Sequence, residues 1–155
     1  MKPFRKNPQR QRGVAAVELA LVLPFMVLLL VFTTFYARFF WHYTVAQKAA
    51  FDSARYLSTI SEQEMREAPL ATAANNTARQ IALAEIAELR PNGDERPQVT
   101  ILCGQALCIG LGGQQLPATV FVRITMDMHD DIFGLDLGRY GIPINATAEV
   151  PYVGN

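Results

Sequence analysis

The sequence predicts an α+β fold in which a long N-terminal helix, membrane-spanning in its first half, precedes a second helix and a small antiparallel sheet. Three observations predict this arrangement. Residues 14–37 form an apolar run, residues 38–58 continue with helical periodicity, and the apolar pattern changes to a period of two from residue 99 onward. A length of 155 residues is sufficient for one domain and an appendage.

Charge divides the chain into three segments. Residues 1–13 contain five of the fourteen basic residues and no acid, residues 14–37 carry one acid, and residues 38–155 have a net charge of −4. The formal net charge is zero, so there is no overall positive field to attract nucleic acid. We therefore expect a basic leader peptide (1–13), a transmembrane helix (14–37) and an extracytoplasmic α+β domain (38–155).

The apolar run of residues 14–37 is long enough to cross a membrane, because about 20 helical residues span a hydrocarbon core of about 30 Å. A buried core helix is disfavoured, since the run is too long and too uniformly apolar. A cleaved secretory signal is also disfavoured, because Phe39, Phe40 and Trp41 follow where small residues would be needed. Basic residues precede the span, which predicts a cytoplasmic N-terminus.

Glu18 is the exceptional residue of the apolar run. A carboxylate within a membrane helix costs about 2.5–3.5 kcal/mol on insertion scales. Either Glu18 reaches water at the inner headgroups, or it meets a positive group from another chain. Cleavage between Gly13 and Val14 would create such a group, since the new α-amine of Val14 could pair with Glu18 of a neighbouring subunit.

The string from Arg12 to Pro24, RGVAAVELALVLP, resembles the processing site of type IV prepilins and, more narrowly, the TadE-like pseudopilins of tight-adherence (Tad/Flp) pili. Residues 46–56 are similar to the small-residue helix that follows the span in that family. The resemblance implies a pilin-like layout, cleavage after Gly13 by a prepilin peptidase and a minor or accessory role in assembly of a type IVb pilus for surface adherence.

The resemblance also implies partners and a location. The partners would be the prepilin peptidase, other pilin and pseudopilin subunits, and the Tad secretion and assembly machinery of the bacterial inner membrane. The protein would be held there by one span, with its C-terminal domain in the periplasm, or would lie outside the cell in the pilus after assembly.

The helix is expected to continue beyond the span, because apolar residues recur every three or four positions and residues 36–58 contain no Pro or Gly to interrupt it. One helix is therefore expected over residues 14–58, roughly 67 Å long at 1.5 Å per residue. Its apolar stripe comprises Phe39, Tyr43, Ala46, Ala50, Ala54 and Leu57. Pro24 removes a backbone donor and predicts a kink, which is either tolerated or provides flexibility. Lys48 and Asp52 are spaced for an i,i+4 ion pair.

Two further helical signals follow. Ser61 and Glu64 have the spacing of a capping box, after which Pro69 interrupts the chain. A second helix is expected over residues 70–89, ended by a turn at residues 91–94. Its apolar face comprises Ala78, Ala82, Ile86 and Leu89.

Three strands are expected, over residues 99–103, 119–128 and 145–150. The second has the clearest alternation. Its apolar face comprises Val120, Val122, Ile124, Met126 and Met128. The apolar stripe of residues 39–57 would pack on one face of this sheet.

Cys103 and Cys108 are expected to form a disulfide because the predicted compartment is oxidising; two free buried thiols are the alternative. Zinc would need two further ligands, and His42 and His129 are poorly placed to supply them, so no metal site is expected. The glycine-rich loop at residues 110–113 lacks the residues of a phosphate-binding loop.

No pattern in the sequence favours catalysis. The acidic cluster at residues 127–136 does not have the spacing of a calcium loop, so a solvated turn is expected. No serine lies in a nucleophile elbow. We therefore expect no enzyme activity, no cofactor, no small-molecule substrate and no nucleic-acid partner. The competing hypothesis is an uncleaved, signal-anchored periplasmic binding or sensing module, in which Gly13 and Glu18 have no special role; an anchored enzyme is a weaker third.

Overall fold

The structure is a computed structural model that describes residues 9–89, 97–110, 115–128 and 141–154, with side chains described from residue 13. The chain divides into two compact units, Met1–Arg38 and Phe39–Asn155. The elements confirm the predicted α+β class: a long apolar helix, further helices and a small antiparallel sheet.

The first helix, α1 (Gln9–Ser58), begins upstream of the predicted start and ends where predicted. Gln and Arg favour helix, which explains why residues 9–12 join it. Pro24 lies inside the helix, and the residues on both sides of it are helical.

Within the second unit, one side of α1 is buried. The buried residues are His42, Ala46, Ala49, Ala50, Ser53, Ala54, Leu57 and Ser58. The predicted stripe is confirmed as buried at Ala46, Ala50, Ala54 and Leu57. It is half-buried at Phe39 and was wrong at Tyr43, which is 41% exposed, whereas the polar residues His42 and Ser53 are buried. Ser53 is tolerated in the core because its hydroxyl donates to the carbonyl of Ala49 at 2.8 Å.

A short helix, α2 (Glu62–Arg66), begins at the predicted capping box. The Ser61 hydroxyl accepts from the backbone N–H of Glu64 at 3.3 Å, and the Glu64 carboxylate accepts from the backbone N–H of Ser61 at 3.0 Å. These two bonds satisfy backbone donors that a helix N-terminus leaves unpaired.

The next helix, α3 (Ala68–Ile86), starts before the predicted position and continues as a 3-10 turn at Ala87–Leu89. Pro69 lies in its first turn, where its missing N–H costs no helical hydrogen bond, so it begins the helix rather than interrupting the chain. The predicted apolar face of Ala78, Ala82, Ile86 and Leu89 is confirmed as buried. Ala71 and Ala74, which the prediction did not include, are buried as well. The turn expected at residues 91–94 lies outside the described residues.

A four-stranded antiparallel sheet follows, with the spatial order β2-β1-β3-β4. Its strands are β1 (Gln98–Cys103), β2 (Ala106–Leu107), β3 (Thr119–Met128) and β4 (Ile142–Pro151). The three predicted strands are confirmed, although β4 begins earlier than expected. The prediction missed β2, because two residues are too few to establish a period.

One face of this sheet is buried, which we call the inner face. On β3 it comprises the five predicted apolar residues, and each of them is at most 2% exposed. The Gln47 amide on α1 donates to the carbonyl of Thr147 on β4 at 2.7 Å. Helices therefore pack on one face, as in antiparallel sheets whose other face is open.

The C-terminal residues contact the end of α1. The carbonyl of Ser58 accepts from the backbone N–H groups of Val153 at 3.0 Å and Gly154 at 3.3 Å. The Tyr152 hydroxyl donates to the carbonyl of Ile60 at 2.9 Å. The first two bonds satisfy a carbonyl that the C-terminus of α1 leaves without an intrahelical partner, and the third attaches Tyr152 just beyond the helix end.

Candidate functional site

The predicted processing and pairing residues lie on α1 within the first unit. Gly13, Val14 and Glu18 are all exposed and helical. Val14 and Glu18 are four positions apart, which places them on the same side of a helix. After cleavage, the new α-amine and the Glu18 carboxylate would therefore lie near one another on the helix surface.

An added Cβ at Gly13 would meet no atom within 4 Å. Packing in the described residues thus does not require a glycine there. A helix interior also disfavours glycine, by roughly 1 kcal/mol relative to alanine. Packing among the described residues therefore gives no reason for a glycine at position 13.

Glu18 is surrounded by exposed apolar surface. The large apolar residues exposed in this segment are Val14, Val17, Leu19, Leu21, Val22, Leu23, Phe25, Met26, Val27, Leu28, Leu29, Leu30 and Phe32. The most apolar 18-residue window has a mean hydropathy of 2.7, and none of it is buried. Such a helix fits a single-pass membrane anchor by its length and composition.

Polar side chains near the end of this segment are satisfied locally. The hydroxyls of Thr33 and Thr34 each donate to a carbonyl one turn earlier, those of Leu29 and Leu30, at 2.8 Å. This bonding removes the cost of placing a hydroxyl among apolar groups. Glu18 differs, because no described residue forms an ion pair with its carboxylate.

Distance along the helix explains why Glu18 has no cation nearby downstream. The next basic residue is Arg38, which is roughly 30 Å away along the axis at 1.5 Å per residue. A carboxylate in an apolar setting requires water or an opposite charge. For Glu18 that charge would come from the leader, from the α-amine that cleavage would create on Val14, or from another chain.

Pro24 leaves one backbone acceptor without its helical partner. A proline has no N–H, so the carbonyl of Ala20, one turn earlier, receives no helical hydrogen bond from it. In hydrocarbon such a carbonyl must find another donor. The predicted kink at Pro24 stays a prediction.

The cysteines lie in the second unit, far along the chain from this segment. Cys103 on β1 and Cys108 after β2 form the expected disulfide, with their Cα atoms 5.1 Å apart. Asn75 on α3 donates to the carbonyl of Cys108 at 2.9 Å, and the Met65 sulfur lies 3.8 Å from that of Cys103. The disulfide therefore ties the β1–β2 hairpin where α2 and α3 contact it.

The predicted ion pair on α1 also forms, with an additional partner that the sequence did not indicate. The Lys48 ammonium lies 3.3 Å from Asp52 and 3.1 Å from Glu85 on α3. Hydrogen bonding to Glu85, and then to Asp52, raises the pKa of Lys48 above its ordinary value. Sequence spacing could identify Asp52 but not Glu85, which is distant along the chain.

Residues 13–55 match the family model of TadE-like proteins. This part of the chain is therefore similar to that family. The match begins at Gly13 and includes Val14, Glu18 and Pro24, so the resemblance expected from the sequence is confirmed there.

The TadE-like region coincides with α1 and covers somewhat more than a quarter of the chain. Residues 56–155, including both cysteines and the whole sheet, lie outside it. No curated protein and no solved structure matches the chain. Within the described part of the chain, no group of three or more His, Cys, Asp or Glu side chains is placed to hold a metal ion.

Proposed function

We propose that this TadE-like protein is a minor pilin or pseudopilin that takes part in assembly of a Tad/Flp type IVb pilus for surface adherence. A prepilin peptidase removes residues 1–13, and α1 then packs against helices of other pilin subunits. The partners are those subunits, the peptidase and the Tad machinery of the inner membrane. Its role is structural, without catalysis, cofactor or small-molecule substrate.

One observation carries the proposal: an exposed carboxylate, without a cation among the described residues, lies five positions after Gly13 on an exposed apolar helix. Leaving a charge unpaired in apolar surroundings is costly, whereas pairing it with the α-amine of a neighbour offsets that cost. Pairing between subunits also favours one axial offset of the two helices, because another offset separates the carboxylate of one helix from the α-amine of the other.

The orientation in the membrane follows from the basic leader. Positive residues near a span remain cytoplasmic, so the peptidase site lies at the inner surface and residues 38–155 lie in the periplasm. Tyr36, Trp41 and Tyr43 then fall where an aromatic belt meets the outer interface, and each of them is more than 40% exposed.

The first experiment is intact-mass analysis of protein extracted from membranes of strains with and without prepilin peptidase. We expect a chain that begins at Val14 in the first strain and at the leader in the second. A chain that keeps its leader in both strains would contradict the proposal and favour an uncleaved periplasmic binding or sensing module.

The second experiment compares Glu18→Gln with Thr33→Val. Glu18→Gln removes the charge with little change in shape, so we expect normal membrane insertion but loss of most pili by electron microscopy and by immunoblot of sheared fractions. Thr33→Val removes a hydroxyl that bonds within its own helix, and piliation should persist. Wild-type piliation with Glu18→Gln would show that the charge pair is unnecessary.

A further inference from the structure

The face of the sheet opposite the helices, which we call the outer face, carries a row of apolar side chains. Leu107, Leu102 and Phe121 lie directly opposite one another on β2, β1 and β3. Leu107 is 58% exposed, and the other two are half-buried. Among the described residues, no helix covers this row.

Two opposite charges flank the row. Glu149 on β4 lies directly opposite Phe121, and Arg123 follows Phe121 on the same side of β3. The guanidinium carbon of Arg123 lies 5.4 Å from the centre of the Phe121 ring, a cation–π contact that holds the side chain in place. Neither Arg123 nor Glu149 has an ion-pair partner among the described residues.

Arg123 and Glu149 are diagonal neighbours, so strand geometry places their backbones about 8 Å apart. Consider a twofold axis parallel to the sheet that passes midway between them. It exchanges the two positions, so each Arg123 meets the other copy's Glu149, and it brings Phe121 of one copy over Phe121 of the other. A patch that is complementary to itself in this way is what a twofold dimer requires.

We propose that the outer face is an interface between two copies of this chain, with Arg123 of each copy pairing with Glu149 of the other across the apolar row. The contact is small, at the lower end of specific interfaces. A membrane anchor raises the effective concentration of the two domains, which allows a weak contact to form. The proposal does not depend on cleavage after Gly13.

The test uses the full chain reconstituted in lipid vesicles, with a photo-crosslinking amino acid at the position of Thr147, an exposed residue opposite Arg123. We expect a crosslinked homodimer. The matched position is Asn76, an exposed residue on α3, where the same crosslinker should give at least about fivefold less dimer, because that surface lies off the proposed contact.

Charge reversal then identifies the contact. Arg123→Glu or Glu149→Arg alone should lower the dimer yield at least about fivefold, since each replaces two attractive pairs with two repulsive ones. The double variant Arg123→Glu/Glu149→Arg should restore the yield to within about twofold of wild type. Arg79→Glu, at an exposed arginine on α3, serves as the control and should leave the yield unchanged.

Three results would overturn the proposal. They are equal crosslinking from Thr147 and Asn76, a single reversal that leaves the yield intact, and a double variant that does not recover. Because all the substituted side chains are exposed, retention of the Cys103–Cys108 disulfide, measured by mass without reductant, verifies that each variant is folded.

Discussion

At the residue scale, Glu18 and Ser53 illustrate two ways in which α1 carries a polar side chain. Ser53 is buried in the second unit, and its hydroxyl bonds to a carbonyl of the same helix. Glu18 has no comparable bond, since a carboxylate only accepts hydrogen bonds and the N–H groups beside it are already bonded within the helix. The Ser53 hydroxyl is therefore satisfied within the folded chain, whereas the Glu18 carboxylate needs water or a group outside its own helix turn.

The capping box of α2 provides a prediction at this scale. Hydrogen bonds from the backbone and then from the hydroxyl of Ser61 lower the pKa of Glu64 below its ordinary value of 4.5. Because the folded state favours the ionised form, this contribution is present above about pH 4.5 and is lost as the pH falls through the lowered pKa. Thermal melts of Glu64→Gln should therefore lie below wild type at pH 7, with a difference that shrinks in acid.

Two variants complete this test. Ser61→Ala should lower stability by about 1 kcal/mol, as expected for loss of a capping hydroxyl. Glu62→Gln is on the same helix and makes no capping bond; it loses only an exposed ion pair with Arg66 at 3.8 Å, so at pH 7 its melting temperature should lie closer to that of wild type than that of Glu64→Gln. A Glu64→Gln difference that stays constant down to pH 3 would contradict the assigned cause.

At the element scale, the start of α3 contacts the end of the β1–β2 hairpin. Gly110 has a φ of +100°, and an added Cβ there would lie 2.4 Å from the Cα of Ala68. Asn75, two turns further along α3, donates to the carbonyl of Cys108. The disulfide, this hydrogen bond and the close backbone approach together hold the hairpin against the helix.

Glycine substitutions test this contact. Gly110→Ala should destabilise the domain by at least about 2 kcal/mol, because it combines a strained backbone with a steric overlap. Gly104→Ala is the matched control: its φ is also positive, +64°, but the added Cβ would meet its nearest atom at 4.0 Å. It should cost about 1 kcal/mol from backbone strain alone. Equal losses in chemical denaturation would show that α3 does not approach Gly110 closely.

At the scale of the whole molecule, α1 is exposed along its length in the first unit and partly buried in the second. In the first unit, α1 exposes apolar side chains along its length, as expected of a segment that lipid or other helices will cover. In the second unit, small residues on α1 are fully buried, and residues near both its middle and its end bond to β4 or the C-terminal segment. The domain is thus held to the helix from Gln47 to Ser58.

Truncation after Pro151 tests the C-terminal part of this attachment. It removes the donors to Ser58 and Ile60, so we expect faster proteolysis of the full chain in detergent and a lower melting temperature. Tyr152→Phe loses one hydrogen bond and should cost about 1 kcal/mol, less than the truncation. A truncated chain as stable as Tyr152→Phe would rule out a contribution from the two backbone donors.

Tyr152 also predicts a loss of stability at alkaline pH. Burial first, and then the Glu62 and Glu64 carboxylates, raise the pKa of Tyr152 above its ordinary value of 10.0. The folded state therefore favours the neutral phenol, and this stabilisation is present below about pH 10 and is lost as the pH rises through the raised pKa. Tyr152→Phe should not show that alkaline loss.

Local patterns made several elements predictable. The apolar run, the capping box of Ser61 and Glu64 and the alternation of β3 each depend on neighbours within a few residues. Buried alanines of α3 were predictable for the same reason. Tyr43 was misplaced because a stripe chosen by hydrophobicity overlooks polar residues that a core can satisfy, as it does for Ser53.

Long-range contacts were not predictable in this way. Glu85 near Lys48, Ala68 against Gly110 and the bonds from residues 152–154 to the end of α1 join segments far apart in sequence. The row of Leu107, Leu102 and Phe121 likewise requires the register of three strands. Such contacts depend on how the elements pack, and no local period encodes them.

The sequence by itself determined the long apolar helix, the isolated Glu18 and its distance from Gly13, because helix geometry and the cost of a charge in hydrocarbon act through spacing and side-chain type alone. Tertiary structure decided which side of α1 is buried, which groups surround the disulfide and where Arg123 lies relative to Glu149. These features depend on the order and register of the strands, which bring distant residues into contact.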